Sequence, residues 1–148
     1  MNATNPSIDG PEGHDAALWR GLGELGYLGA TLPEAYGGLG LGYLEACVIA
    51  EELGRACAPV PFDSSIAVVA ECLMAAGAED QKQTWLPRFA TGEAIGALAL
   101  VERAGHPTAA TIRSSARRDG SRVTLNGRKL TMIDNDSANV AIMTARET

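Results

Sequence analysis

The run Gly37-Gly38-Leu39-Gly40-Leu41-Gly42 is the first stretch of this 148-residue chain that could do chemistry. A glycine-rich loop can lay backbone N–H groups against a phosphate, but a dinucleotide fingerprint needs a preceding strand and the spacing G-x-G-x-x-G. Here Pro33 and Glu34 precede the run and its spacing is G-x-G-x-G, so it predicts a backbone turn. His14 lies in a polar arm and His106 beside Pro107. Neither has a nucleophile or carboxylate at catalytic spacing, which predicts solvent-exposed side chains. Glu51, Glu52 and Glu71 fall on amphipathic stretches, where a carboxylate becomes a base only if burial beside a second titrating group tunes it. Trp85 and Phe89 read as core residues rather than cofactor stackers. Cys47, Cys57 and Cys72 are odd in number and lack metal-type spacing, so they predict buried thiols in a reducing cytosol and no metal site.

These residues sit in a chain of two compositions. Residues 1–92 carry four basic and twelve acidic side chains, whereas residues 93–148 carry eight and six. Alanine is dense before Ala110 and sparse after it. The whole chain has a formal charge of −6, which argues against a general nucleic-acid binder. With 46% apolar and 20% charged residues it is a soluble, core-forming sequence. No apolar run approaches the roughly 18 residues of a membrane span.

The elements follow from periodicity. Residues 1–14 read as a mobile arm. Asp15 is placed to cap a helix carrying Leu18, Trp19, Leu22 and Leu25, ended by Gly26. A second helix runs from Tyr43, with Cys47, Ala50, Leu53 and Cys57 on one face, and stops at Pro59. Asp63 or Ser64 is the expected cap of a third helix, whose stripe is Ile66, Val69, Ala70, Leu73 and Met74. A fourth begins near Ala78, with Pro87 expected to break or kink it before Gly92. From there the period changes. Residues 94–101 form a continuous apolar run suited to a buried strand. Asp119-Gly120 and Asn126-Gly127 are tight-turn signals separating expected strands at 111–116, 122–125 and 128–133, a β-meander. Residues 139–145 supply a last strand. The fold class is therefore α+β: an all-α helical domain over 15–92 followed by an incomplete antiparallel, barrel-type β domain over 93–148.

Read in order, these segments resemble the acyl-CoA dehydrogenase family. Leu22 through Gly40, with Pro33-Glu34-Ala35-Tyr36-Gly37-Gly38-Leu39-Gly40, is similar to the family's first helix and P-E-x-Y-G-G-x-G loop. Glu51-Glu52-Leu53-Gly54-Arg55 resembles the next helix. Glu79-Asp80-Gln81-Lys82, Trp85-Leu86-Pro87 and Thr91-Gly92-Glu93 resemble the crossover into the β domain, and Asp119-Gly120 and Leu125 through Lys129 resemble two of its turns. The family usually shows T-E-P-x-x-G-S-D at its first cofactor strand, where this chain reads Val101 to Thr108, with Pro107 at the loop serine. After N-G-x-K the family usually has W-I-T or W-I-S, where this chain has Thr131-Met132-Ile133.

The resemblance implies a flavoenzyme that oxidises an acyl-CoA thioester in fatty acid or lipid metabolism, with FAD as cofactor. The implied cofactor-binding residues are Leu100, Val101, Glu102, Thr131, Met132 and Ile133. No catalytic residue is assigned, because the family's general base is a glutamate of a C-terminal four-helix bundle, for which these 148 residues have no counterpart. The implied partners are the acyl-CoA substrate, an electron-transfer acceptor and further subunits of a homo- or hetero-oligomer, in the cytoplasm. The chain reads as a fragment of such an enzyme, inactive alone. The alternative is a non-catalytic dehydrogenase-like subunit that supports a catalytic partner.

Overall fold

Asp15 opens the first helix as its sequence predicts. In a computed structural model, which describes residues 13–103 and 107–148, its carboxylate accepts the Ala17 and Leu18 N–H groups at 3.1 and 3.0 Å. Helix α1 (Ala16–Glu24) buries Trp19 and Leu22, and the Trp19 indole donates to the Gly92 carbonyl at 2.9 Å. Helix α2 (Tyr43–Arg55) buries no residue completely. A π-helical segment over Asp63–Ala70 passes directly into α3 (Glu71–Ala76), and α4 spans Glu79–Ala90. Phe89, Leu28, Leu32, Leu86 and Val69 form the centre of the core these elements share.

The glycine run is a turn. Gly37 and Gly40 take φ of 80° and 63°, where side chains are disfavoured. Its N–H groups face the chain itself: Leu39, Gly40 and Leu41 donate to the carbonyls of Gly29, Leu32 and Ala30 at 3.0, 2.9 and 2.8 Å. They are spent on closing the loop against the core.

Strands appear only after the helices. Strand β1 (Gly96–Ala99) pairs in parallel with β4 (Val140–Met143), while β2 (Ser115–Asp119) and β3 (Arg122–Asn126) form an antiparallel hairpin. The short β5 (Arg146–Glu147) joins β2 in parallel. The meander expected from the two turn signals is thus reduced to one hairpin. The stretch between β1 and β4 is long enough for the crossover that a parallel pair requires. Residues 128–133 form no strand: Thr131 makes one antiparallel bridge to Val101, after which the chain enters a turn at 133–137.

Three helical expectations are also corrected. Pro87 lies inside α4, which continues to Ala90 because Leu86, Phe89 and Ala90 are buried on its inner face. Proline there removes one backbone donor, and the core contacts hold the helix past it. Neither Asp63 nor Ser64 caps a helix, since the turn already includes Phe62. Cys47 and Cys57 are exposed and Cys72 half-buried, because the outer face of α2 is uncovered and Cys57 sits in a left-handed turn at φ 46°.

Candidate functional site

The sequence-predicted cofactor residues come from two segments, 100–102 and 131–133, and the structure brings them side by side. Thr131 bridges Val101, and the Leu130 N–H donates to the Val101 carbonyl at 2.8 Å. Beneath this bridge lies a buried ion pair. The Lys129 ammonium meets Glu102 Oε1 at 2.7 Å, with the two side chains only 7% and 9% exposed. Lys129 also donates to the Thr144 carbonyl at 2.7 Å and to its hydroxyl at 3.0 Å. Its three donors are therefore satisfied.

Glu102 is equally committed. It accepts the backbone N–H groups of Arg113 and, at 3.0 Å, of Ser114. The Lys129 ammonium foremost, then the neighbouring Ser114 hydroxyl and the two amides, hold its carboxyl down at about 2, against burial, which acts the other way. The Ser114 hydroxyl reinforces this through proximity, although it lies outside full hydrogen-bond geometry with any partner. One carboxylate and one ammonium thus tie together the segments around residues 101, 113, 129 and 144. Glu102 contributes to the site by holding it, since its oxygens face these partners.

Beside the bridge opens a cleft of about 600 Å³, lined by Lys129, Leu130, Thr131 and Met132 on one side and Asp134 to Ser137 on the other. Ile133 next to it is 72% exposed. The far wall is a turn held by the helical part of the chain. Asp134 takes a left-handed φ of 55°, its carbonyl accepts the Ser137 and Ala138 N–H groups at 3.1 Å, and its carboxylate accepts the hydroxyl of Ser64 from the π-helix. The next residue, Ser65, accepts the Gly96 N–H of β1 at 3.0 Å. A π-turn commonly marks a functional site, and here it aims two hydroxyls at the β part.

The residues fit the ring end of a flavin. Leu130 and Met132 offer an apolar wall, Thr131 a hydroxyl, and the backbone beyond Thr131 has no strand partner among the described residues. Asp134 and Asp136 line the opposite wall, so the cleft suits an uncharged ring rather than a diphosphate.

The remaining candidates have structural partners. Glu71 accepts the Thr31 hydroxyl at 3.2 Å and the Tyr43 phenol at 2.9 Å, which raises the Tyr43 pKa. Glu51 and Glu52 pair with Arg55 on the surface of α2. Phe89 is fully buried, and half-buried Trp85 lies under the Arg88 guanidinium at 4.6 Å. His14 is half-buried, edge-on to Trp19 and hydrogen-bonded to Ser137 at 3.1 Å, so the expected exposed side chain is corrected. His106 and residues 1–12 of the expected arm lie outside the described residues. Among the described residues there is no cluster of metal-ligand side chains, and no helix is long and apolar enough to cross a membrane.

Sequence reasoning missed the wall at 134–137 and the role of Lys129. The wall carries no motif. In the sequence Lys129 reads only as part of a turn, because its buried partner lies 27 positions away.

The chain is similar to several known proteins. Residues 5–93 match the profile of the acyl-CoA dehydrogenase N-terminal domain. The mitochondrial isovaleryl-CoA dehydrogenase of Pongo abelii is 37% identical over 131 residues, which is 87% of this chain and 31% of that protein. The acyl-CoA dehydrogenase from Bacillus anthracis, solved in complex with FAD, superposes with a TM-score of 0.80 at 32% identity, covering 99% of this chain and 27% of that one. Butyryl-CoA dehydrogenase from Megasphaera elsdenii gives a TM-score of 0.78 at 28% identity, over 89% and 36%. The chain spans about a third of the length of the curated relatives it matches.

Proposed function

Because the chain belongs to the acyl-CoA dehydrogenase family, we propose that residues 15–92 are its N-terminal helical domain and residues 93–148 the start of its middle β domain. Together they serve the flavin-dependent α,β-dehydrogenation of an acyl-CoA thioester. The observation that carries this reading is the pairing of Val101 with Thr131 beside the cleft. The chemistry FAD would supply there is that of an acceptor for a hydride from the substrate β-carbon. Leu100, Val101 and Glu102 on one segment, and Thr131, Met132 and Ile133 on the other, would border the ring, Glu102 by fixing its segment rather than by contact. Lys129 and Glu102 keep the two segments in register, and such placement is the chain's own contribution to rate.

Glu102 is not the base in this scheme. A general base works best with a pKa near the operating pH, and a carboxyl held at about 2 has little affinity for a proton there. The α-proton goes instead to a carboxylate from the family's C-terminal bundle, and these 148 residues are inactive by themselves. Their binding of FAD is weak, because Thr131 and Ile133 stand where the family usually has an aromatic ring and a hydroxyl. The partners are acyl-CoA, an electron acceptor and further subunits. Leu25, Leu44 and Val48, at 67%, 75% and 55% exposed on α1 and α2 or at their ends, supply apolar surface for the last of these. A cytoplasmic setting agrees with three free thiols.

The test is dye reduction by the purified chain with excess FAD and short, medium, branched and steroid-type thioesters. We expect no acyl-CoA-dependent reduction. Turnover abolished by Glu102→Gln would contradict the proposal and make Glu102 the base.

A further inference from the structure

On the far side of Glu102 from the cleft, and lined by Glu102 itself, is a second pocket of about 310 Å³. Arg103, Arg113 and Arg128 line it, and Ser114 and Gly127 belong to the same wall. All three arginines are exposed at the surface, and none forms an ion pair among the described residues. The one carboxylate in the lining, Glu102, is already neutralised by Lys129. Three arginines bordering one small pocket offer uncompensated positive charge to an anion.

The wall is built. The guanidinium of Arg146 donates to the carbonyls of Ile112 and Ala109, each at 2.7 Å, and so pins the short helical turn Ala109–Thr111. Thr111 ties the same turn from within, its hydroxyl accepting the Thr108 N–H at 3.0 Å and donating to the Thr108 carbonyl at 2.9 Å. Glu102 holds the N–H groups of Arg113 and Ser114 from the other side. The Ser114 hydroxyl is buried at the pocket wall, beside the Glu102 carboxylate that it helps to keep charged. Gly127 is required there, since any Cβ would collide with the Ser114 side chain. Arginine is the side chain best suited to the planar, forked recognition of a phosphate.

We propose that this pocket binds a phosphate group through Arg103, Arg113 and Arg128. The assignment stands apart from the flavin reading, because none of its three arginines lines the cleft. The phosphate is either the free ion or the terminal group of a nucleotide, and the pocket chemistry is the same for both.

Calorimetric titration of the full chain at constant ionic strength tests it, with inorganic phosphate and adenosine 5′-monophosphate as separate probes and chloride as the control. Arg113→Gln and Arg128→Gln are each expected to weaken binding roughly tenfold. Arg118→Gln, on the hairpin outside the pocket, should leave it unchanged. Comparable affinity for the two probes identifies the free ion as a sufficient ligand, and tighter nucleotide binding identifies the ester. Heat no larger than that of chloride, or equal affinity in all three variants, would overturn the proposal. Circular dichroism of each variant separates a lost pocket from a lost fold, and Arg128→Lys should recover part of the affinity if charge alone contributes.

Discussion

Phe89→Ala should lower the unfolding free energy by about 3–5 kcal/mol, enough to leave much of the chain unfolded at room temperature. Phe89 is 0% exposed and lies in one core with Trp19, Leu28, Leu32, Ile66 and Val69. Removing its ring forfeits the transfer energy of an aromatic side chain and leaves a cavity that α4 cannot close, because Leu86 and Ala90 are fixed against the same neighbours. Urea denaturation followed by far-ultraviolet circular dichroism measures the loss. A fall under about 1 kcal/mol would mean that the site is far less tightly packed than its burial implies.

Lys129→Met should be at least as disruptive, for an electrostatic reason. It leaves Glu102 charged and nearly buried, and it strips the Thr144 carbonyl of its donor. Breaking one partner of a buried pair costs more than the pair contributes, because the other charge is left without compensation. The fall in Tm is expected to be several degrees or more, and the double variant Glu102→Gln with Lys129→Met should recover part of it. The pH dependence has a definite sign. The folded carboxyl titrates near 2 and the unfolded one near its ordinary 4.5. The stability it contributes is therefore complete above pH 4.5 and is lost as pH falls from there toward 2. Glu102→Gln removes that acid-side slope. A wild-type chain whose stability is flat across this window would contradict the pairing.

The helical half of the chain was legible because its signals are local. Asp15 sits where a cap must sit, and the spacing of Ile66, Val69 and Ala70 puts them on one buried face whether the turn is α or π. What periodicity does not show is the widened turn itself, which places Ser64 against Asp134 and Ser65 against Gly96. The β half was less legible because its pairings are long-range. The Asp119-Gly120 turn correctly marked the hairpin, but nothing near residues 96–99 or 140–143 announces that they run parallel. Asn126-Gly127 marked a chain reversal that leads to a single bridge rather than a strand, since past Thr131 the backbone has no partner among the described residues. The site was half legible. The segments 100–102 and 131–133 could be named from their resemblance to family motifs, whereas the ion pair under them depends on a contact between residues 27 positions apart.

The central claim is that the edge from Thr131 to Ile133 faces a flavin ring, and the most direct measurement is FAD titration of the chain and its Thr131→Trp variant, followed by flavin fluorescence. Thr131 is exposed at the cleft, so an indole can be placed there without entering the core. Aromatic stacking contributes about 0.5–1.5 kcal/mol beyond buried area, so the variant should bind FAD roughly two- to tenfold more tightly than the weakly binding wild-type chain. Unchanged or weaker binding by a variant that melts like wild type, or a wild-type chain already saturated with FAD at sub-micromolar concentration, would contradict the account.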